Sequence, residues 1–317
     1  MTPSLATAAA TIPALLLKSI SHNTMKRYAQ GFRSWNKWRR SHPDIPPLPV
    51  VSDHLSIFIA AAIQSNKRFG HVDTVVCGLG WLHKTIGLPN PTLSPTVVAL
   101  KEAAKRILSR PTKKKVPISP SDLKKLAKKL RHSTLHDLRT LTVAILSYAG
   151  FLRFDEVSTL RRSCISFHAS HVKLFIVESK TDQHRIGDHV FIARTGSSTC
   201  PVAILKSYLK RGNVRSGFIF RGLQRVRDSH VLRKKDKPVS YSTVRKDILK
   251  AIADAGLKKS KFGTHSMRRG GATQAANSGV SDRLFKRHGR WKSDKAKDGY
   301  VEEDLSTLLS VSRSLGI

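Results

Sequence analysis

The chain has 317 residues, with 57 Lys and Arg against 21 Asp and Glu and a formal net charge of +36. Self-repulsion on that scale destabilises a compact state, and a polyanion that releases counterions on binding is the simplest compensation, so nucleic acid is the expected partner and ordinary small-molecule metabolism is disfavoured. A membrane role is disfavoured too: no apolar run nears the roughly 20 residues needed to span a bilayer, and TIPALLL at Thr11–Leu17 is too short and lacks the basic flank of a signal peptide.

Residues 1–18 are small and weakly patterned and read as a flexible arm. From Asn23 an apolar stripe of Tyr28, Phe32, Trp35 and Trp38 predicts a helix, which Pro43, Pro46, Pro47 and Pro49 end. Further helices are expected over Asp53–Ser65, Val72–Ile86 and Ser94–Leu108, the last with an N-cap serine and Pro95 in its first turn. Residues 19–108 therefore form an all-α domain. The stretch SRPTKKKVPISPSD begins a basic linker, residues 109–118, whose Lys113–Lys115 run resembles a short nuclear-import signal and serves equally well as a solvated linker that touches phosphates.

Residues 119–317 form the second domain. Helices are expected over Pro120–Leu130 and about Leu135–Ala149. The alternation in SCISFHASHVKLFIVESKTDQHRIGDHVFIAR, around turn-like HAS and KTDQHRIG, predicts a small antiparallel sheet of about three strands. Helical patterns resume at Pro201–Lys210, Ser242–Ala255, Ser266–Ala276, Ser281–Arg287 and Glu302–Ser314. Cys77, Cys164 and Cys200 are widely spaced and show no metal pattern, so reduced thiols and no zinc site are expected.

Several residues have the chemistry to act on an anion, and each has a plain structural explanation when taken alone. Arg153 sits among Phe151, Leu152 and Phe154 and needs an anionic partner there, which Glu156 supplies as a buried ion pair. His265 and Arg268, three apart near an expected helix start, suit a phosphate, and Gly270 and Gly271 admit close backbone approach. Trp291 fits a core position, and Tyr300 a half-buried one with a satisfied hydroxyl.

Taken in order, an arginine near mid-chain, a lysine on a hairpin turn, H-x-x-R, a tryptophan and a closing tyrosine resemble the tyrosine recombinase (phage-integrase-type) family, over most of the chain. The tail RLFKRHGRWKSDKAKDGYVEEDLSTLLSVSRSLGI resembles that of eukaryotic DIRS-type or Ngaro retroelement recombinases and of the related Cryptons. The resemblance implies two domains: an all-α, SAM-like core-binding domain and a mixed, mainly α catalytic domain with a small antiparallel sheet. It implies a site-specific recombinase or integrase that cuts and rejoins double-stranded DNA through a 3′-phosphotyrosyl intermediate, here for mobile-element integration, in the nucleus if the chain is eukaryotic and otherwise with the nucleoid. No metal or organic cofactor is implied.

By the same resemblance, the catalytic positions fall on Arg153, Lys180, His265, Arg268, Trp291 and Tyr300, with Glu156 supporting the first arginine and His288 competing for the Trp291 position. Planar guanidinium forks suit the two non-bridging oxygens, a lysine on a turn suits the leaving 5′ oxygen as general acid, and surrounding cations favour the phenolate of Tyr300. Backbone phosphates are expected on Arg269, Arg283, Lys286, Arg287 and Arg290, and on Lys101 and Arg106 from the first domain. The C-terminal stripe Leu305, Leu308, Leu309 and Leu315 packs either on its own domain or on a neighbouring protomer in a DNA-bound tetramer. Three alternatives stand beside this reading: a catalytically inactive, domesticated DNA-binding protein of the same fold, a type IB topoisomerase-like relaxing enzyme, and a generic basic RNA-binding protein. The last explains the charge and leaves the ordered constellation unexplained.

Overall fold

The apolar stripe that begins at Tyr28 lies on one helix of a computed structural model that describes residues 2–111, 113–130, 134–180, 182, 186–227 and 229–316. That helix, α2 (His22–Arg39), belongs to the first of two compact units, Met1–Lys113 and Lys114–Ile317. With it are α1 (Pro3–Lys18), α3 (Ser52–Gln64), α4 (Phe69–Ile86) and α5 (Pro95–Leu108). Trp35 carries the stripe into a core of Leu55, Phe58, Val75 and Leu79, all essentially without solvent contact, while Phe32 and Trp38 pack at its edge. The crossing of α2 and α4 is set by two glycines. A Cβ on Gly31 would collide with the carbonyl of Thr74, and one on Gly78 would lie 2.8 Å from the carbonyl oxygen of Tyr28.

Two expectations for this unit change. Residues 3–18 of the expected arm are helical and bury no side chain; their Ala and Leu content favours helix without any help from packing. Ser94 occupies the N-cap of α5, but its side chain makes no capping bond.

In the second unit, α6 (Pro120–Leu130) is followed by α7 (Leu135–Ala149), which opens with a capping box between Thr134 and Asp137. Every residue of α7 from Leu138 to Ser147 is buried, so this helix is the axis of the core. Buried Arg139 is neutralised by Asp247 at 2.8 Å and bonds the carbonyl of Arg221 at 3.0 Å. After the short α8 (Phe154–Ser158), strands β1 (Ile165–Phe167), β2 (His171–Ile176) and β3 (Asp188–Ala193) form the antiparallel sheet that the alternation predicts. Val172, Leu174 and Ile176 of β2 face the core, as period two requires.

Next come α9 (Pro201–Arg211) and a second antiparallel hairpin, β4 (Leu223–Val226) and β5 (Ser229–Leu232), which the alternation of these short, arginine-rich strands did not announce. The chain closes with α10 (Tyr241–Asp254), α11 (His265–Asn277), α12 (Asp282–Gly289), α13 (Asp294–Asp298) and α14 (Leu305–Arg313).

The stretch expected as a free linker divides. Its C-terminal part is sewn onto the catalytic unit, with Val116 N–H donating to the Lys261 carbonyl at 2.9 Å and Ile118 N–H to the Ser266 carbonyl at 3.0 Å. Gly270 makes room for it, since any Cβ there would strike the Ile118 backbone.

Candidate active site

The site begins where α7 ends. Gly150 closes that helix, and Phe151 adopts a left-handed conformation at φ +46° that turns the chain. Arg153 therefore stands at the N-cap of α8, just past the end of the buried α7. Its N–H donates to Glu156 Oε2 at 2.9 Å and its Nη1 to Oε1 at 2.8 Å. Glu156 is 2% exposed, and burial alone would raise its pKa; the guanidinium groups of Arg290 and Arg268 and the Arg153 N–H outweigh that and hold it below the usual carboxylate range. Arg153 keeps 14% side-chain exposure, and among the described residues its other side-chain nitrogens have no hydrogen-bond partner, so one edge of this fork is open.

The second arginine reaches the same carboxylate from α11. Arg268 is completely buried, with Nη1 3.8 Å from Glu156 Oε2. Its Nη1 donates to the Phe151 carbonyl and its Nη2 to the Gly289 carbonyl at 2.8 Å. Burial, then the nearby charge of Arg153, pushes its pKa down to about 10 despite the opposing pull of Glu156 and Tyr300. Gly271 brings α11 against α7, because a Cβ there would overlap the Tyr148 carbonyl. His265, at the exposed start of α11, has its pKa lowered by lost hydration first and then by Arg268, Arg153 and Lys180. Lys180 is exposed in the connection between β2 and β3. Most of the expected hairpin turn, residues 181 and 183–185, lies outside the described residues.

Trp291 and Tyr300 close the site. The Arg268 guanidinium carbon lies 4.9 Å from the Trp291 ring centre and 4.8 Å from that of Tyr300, a cation–π arrangement on two rings. Trp291 is 5% exposed and packs on Phe151 and Phe285; Tyr300 is half-buried. A Cβ on Gly289 would overlap the Trp291 ring, so no larger residue fits there. His288 is engaged elsewhere: its Nε2 lies 2.9 Å from the Ala149 carbonyl oxygen and its ring stands edge-on to Phe151. Burial lowers its pKa, against the effect of that carbonyl.

Two residues expected on phosphates point inward. Arg290, also left-handed at φ +55°, places Nη2 2.7 Å from Glu156 Oε2, with its side chain 6% exposed. Arg269 is 8% exposed; its Nη1 holds the Lys115 carbonyl and its Nη2 lies 3.3 Å from Glu302. The physical reason is the same for both: each fills a gap lined by carbonyl oxygens that a buried guanidinium can satisfy. Arg283, Lys286 and Arg287 line a cleft of about 460 Å³ beside Trp291 and the β2–β3 connection, whose wall Arg290 also joins, with Lys286 paired to Asp294 at 3.0 Å. In the first unit Arg106 is exposed, whereas Lys101 is paired to Asp73 at 2.9 Å.

The arrangement has more donors than acceptors. Three guanidinium groups surround one carboxylate, and among the described residues the buried Nε atoms of Arg268 and Arg290 and the Nε1 of Trp291 find no hydrogen-bond partner. Such a cluster is built to receive an anion. Among the described residues no group of three His, Cys, Asp or Glu is placed to hold a metal ion.

A family model described as the phage integrase family matches residues 117–305. An integrase/recombinase xerD homolog from Selenomonas ruminantium is 28% identical over 292 residues, covering 91% of this chain and 84% of its own. A lambda integrase (75–356) dimer bound to a COC′ core site superposes with a TM-score of 0.59 at 16% identity, over 93% of this chain and 94% of that one. A lambda integrase tetramer bound to a Holliday junction gives 0.59 at 15% identity, over 93% of this chain and 76% of that one. At those identities the likeness is one of fold: a helical N-terminal domain and a mixed catalytic domain with small antiparallel sheets.

Proposed function

The chain belongs to the phage integrase family of tyrosine recombinases, and we propose that it cuts and rejoins DNA at one phosphate held between Arg153 and Arg268, with Tyr300 as nucleophile. The observation that carries this reading is the excess of buried donors around Glu156, with the Tyr300 ring resting on Arg268.

The chemistry follows from the residue types. The open edge of Arg153 and the Nε of Arg268 bind the non-bridging oxygens. The Tyr300 oxygen attacks phosphorus, its proton passing to His265, whose lowered pKa keeps the ring neutral and able to accept it. The bond from phosphorus to the 5′ oxygen breaks as Lys180 gives that oxygen a proton. The product is a 3′-phosphotyrosyl link and a free 5′-hydroxyl. Bond energy is kept in the link, so a second 5′-hydroxyl reverses the step on a new partner strand.

Two finer readings accompany it. A mobile element as the DNA, and the nucleus as the compartment, are supported by the DIRS-, Ngaro- and Crypton-like tail; the Selenomonas ruminantium relative is bacterial, so that assignment rests on the tail alone. Assembly on DNA through the C-terminus is supported by α14, which buries no residue and exposes Leu305, Leu308 and Val311. An apolar cleft of about 590 Å³, lined by Phe191, Val280, Leu284 and Phe285 among others, fits such a helix from a second copy.

The test is covalent trapping. Incubated with a library of duplexes, the protein is expected to form an adduct that survives denaturation, and Tyr300→Phe to abolish it while DNA binding persists. Binding by the unaltered chain with no adduct on any duplex would leave a DNA-binding protein of this fold and end the catalytic reading.

A further inference from the structure

We propose that Arg290 is a positioning residue for strand cleavage: by occupying the Glu156 carboxylate it leaves the charge of Arg268 available to the scissile phosphate. The inference deepens the reading above and rests on Arg153 and Arg268 gripping that phosphate.

Both oxygens of the carboxylate are engaged without Arg268. Oε1 accepts from Arg153 Nη1 at 2.8 Å; Oε2 accepts from the Arg153 N–H at 2.9 Å and from Arg290 Nη2 at 2.7 Å. Arg268 stands off at 3.8 Å, and its terminal nitrogens are aimed at the carbonyls of Phe151 and Gly289. Carbonyl groups fix a guanidinium in place but cancel none of its charge. Two of these three cations are thus left without a counter-charge, and at the fully buried Arg268 a charge acts most strongly on a phosphate that gains negative character as it reacts.

The backbone shows that this placement has a cost. Arg290 is the left-handed C-cap of α12, a position at which glycine is the usual residue. It follows Gly289, which the Trp291 ring compels, so the turn itself needs no arginine after it. What the side chain reaches is Glu156 and the carbonyls of Gly150, Phe151 and His288. Without it, Oε2 has Arg268 as its nearest free cation, and closing by about 1 Å makes a short ion pair of the two. Arg268 is then neutralised by its own protein.

The experiment compares Arg290→Gly and Arg290→Lys with the unaltered chain, on duplexes carrying an ordinary scissile phosphodiester or a neutral methylphosphonate in its place. Glycine suits the left-handed turn, so backbone strain does not confuse the result. For Arg290→Gly, adduct formation on the diester is expected to fall about 100-fold, as when one oxyanion donor is lost. DNA affinity and its salt dependence are expected to hold, because the Arg290 side chain is 6% exposed and committed to Glu156. The deficit should shrink by about tenfold on the methylphosphonate, which lacks the charge that Arg268 is kept free to meet. Arg290→Lys should recover part of the diester rate by returning a cation to Glu156.

Three results would overturn the proposal: cleavage by Arg290→Gly within about threefold of the unaltered chain, an equal deficit on both substrates, or a salt slope reduced by about 1, which marks a direct phosphate contact. If Arg290→Gly does not fold, Arg290→Lys and Arg290→Gln decide on the same two substrates, with a diester-specific deficit in Gln exceeding that in Lys as the supporting outcome and equal deficits as the opposing one. Failure of the unaltered chain to form an adduct would count against the assignment of Tyr300 and not against Arg290.

Discussion

The rings of Trp291 and Tyr300 stand 5.4 Å apart, centre to centre, and the Arg268 guanidinium lies against both. His288, three residues earlier, spends its Nε2 on the Ala149 carbonyl. Of the two candidates for the donor beside Tyr300, the tryptophan is the one in contact with the site. Trp291→Phe keeps a ring there and removes the indole N–H, and adduct formation is expected to fall roughly 10- to 100-fold, near the lower end for losing one donor. His288→Gln should change it by less than about threefold after correction for folded fraction, since that side chain serves a backbone carbonyl. Single-turnover adduct rates check both, and the opposite ranking would exchange their roles.

Glu156→Gln preserves shape and removes the one negative charge among Arg153, Arg268 and Arg290. Leaving buried cations without a counter-charge costs about 3 to 5 kcal/mol. Urea denaturation should show that loss, and a loss below about 1 kcal/mol would mean the carboxylate is not the counter-ion.

Gly271 and Gly70 make a paired test of helix contacts. A methyl at 271 meets the Tyr148 carbonyl and the Phe151 ring, whereas nothing lies within 4 Å of one at 70, in the first turn of α4. Gly271→Ala is expected to destabilise by about 1 to 3 kcal/mol or more through overpacking. Gly70→Ala should stabilise by about 0.5 to 1 kcal/mol through helix propensity. Chemical denaturation of the two variants should shift in opposite directions.

The contribution of His136 to stability should fall as pH rises through neutrality. His136 bonds Asp247 at 3.2 Å, and that bond raises its pKa. A raised histidine contributes fully below its unfolded value of about 6.5 and loses the contribution as pH climbs through the folded value. Asp247 is held low despite its burial, chiefly by the same bond, so its share is present above the ordinary carboxylate range and is lost in acid. His71, His265 and His288 have lowered pKa values and act in the opposite sense, so the effect is read from the variant: His136→Gln is expected to lose more melting temperature at pH 6 than at pH 8. An equal loss at both values would assign the effect to another group.

Truncation before Leu305 removes α14, which buries nothing in its own chain. Monomer stability is expected to change little, while assembly on DNA, read by light scattering or native electrophoresis, should be lost. Intact assembly of the truncated chain would rule out docking through this helix.

Periodicity and punctuation made most helices legible: α2 from its aromatic stripe, α5 from Ser-Pro, and the three-stranded sheet from alternation about its turns. The ordered motif pointed to Arg153, His265, Arg268, Trp291 and Tyr300, and the fold brings them together. The inward turn of Arg269 and Arg290 was not legible, because among 57 cations a local window cannot distinguish a guanidinium on a phosphate from one on buried carbonyls. One signal was present for Arg290: a charged residue wedged between a glycine and a tryptophan inside a tight turn. Gly31 and Gly78 were missed for a related reason, since each matters only through the helix opposite it.

Gly271 has a consequence beyond packing. Arg153 and Glu156 hang from the end of α7, and Arg268 from α11, so the gap between the two grips is the gap between those helices. The bare backbone at 271 acts as a spacer of zero thickness along that seam. A side chain at 271 would wedge the two helices apart and so widen the distance between the hands of the clasp, altering the jaw without touching either arginine.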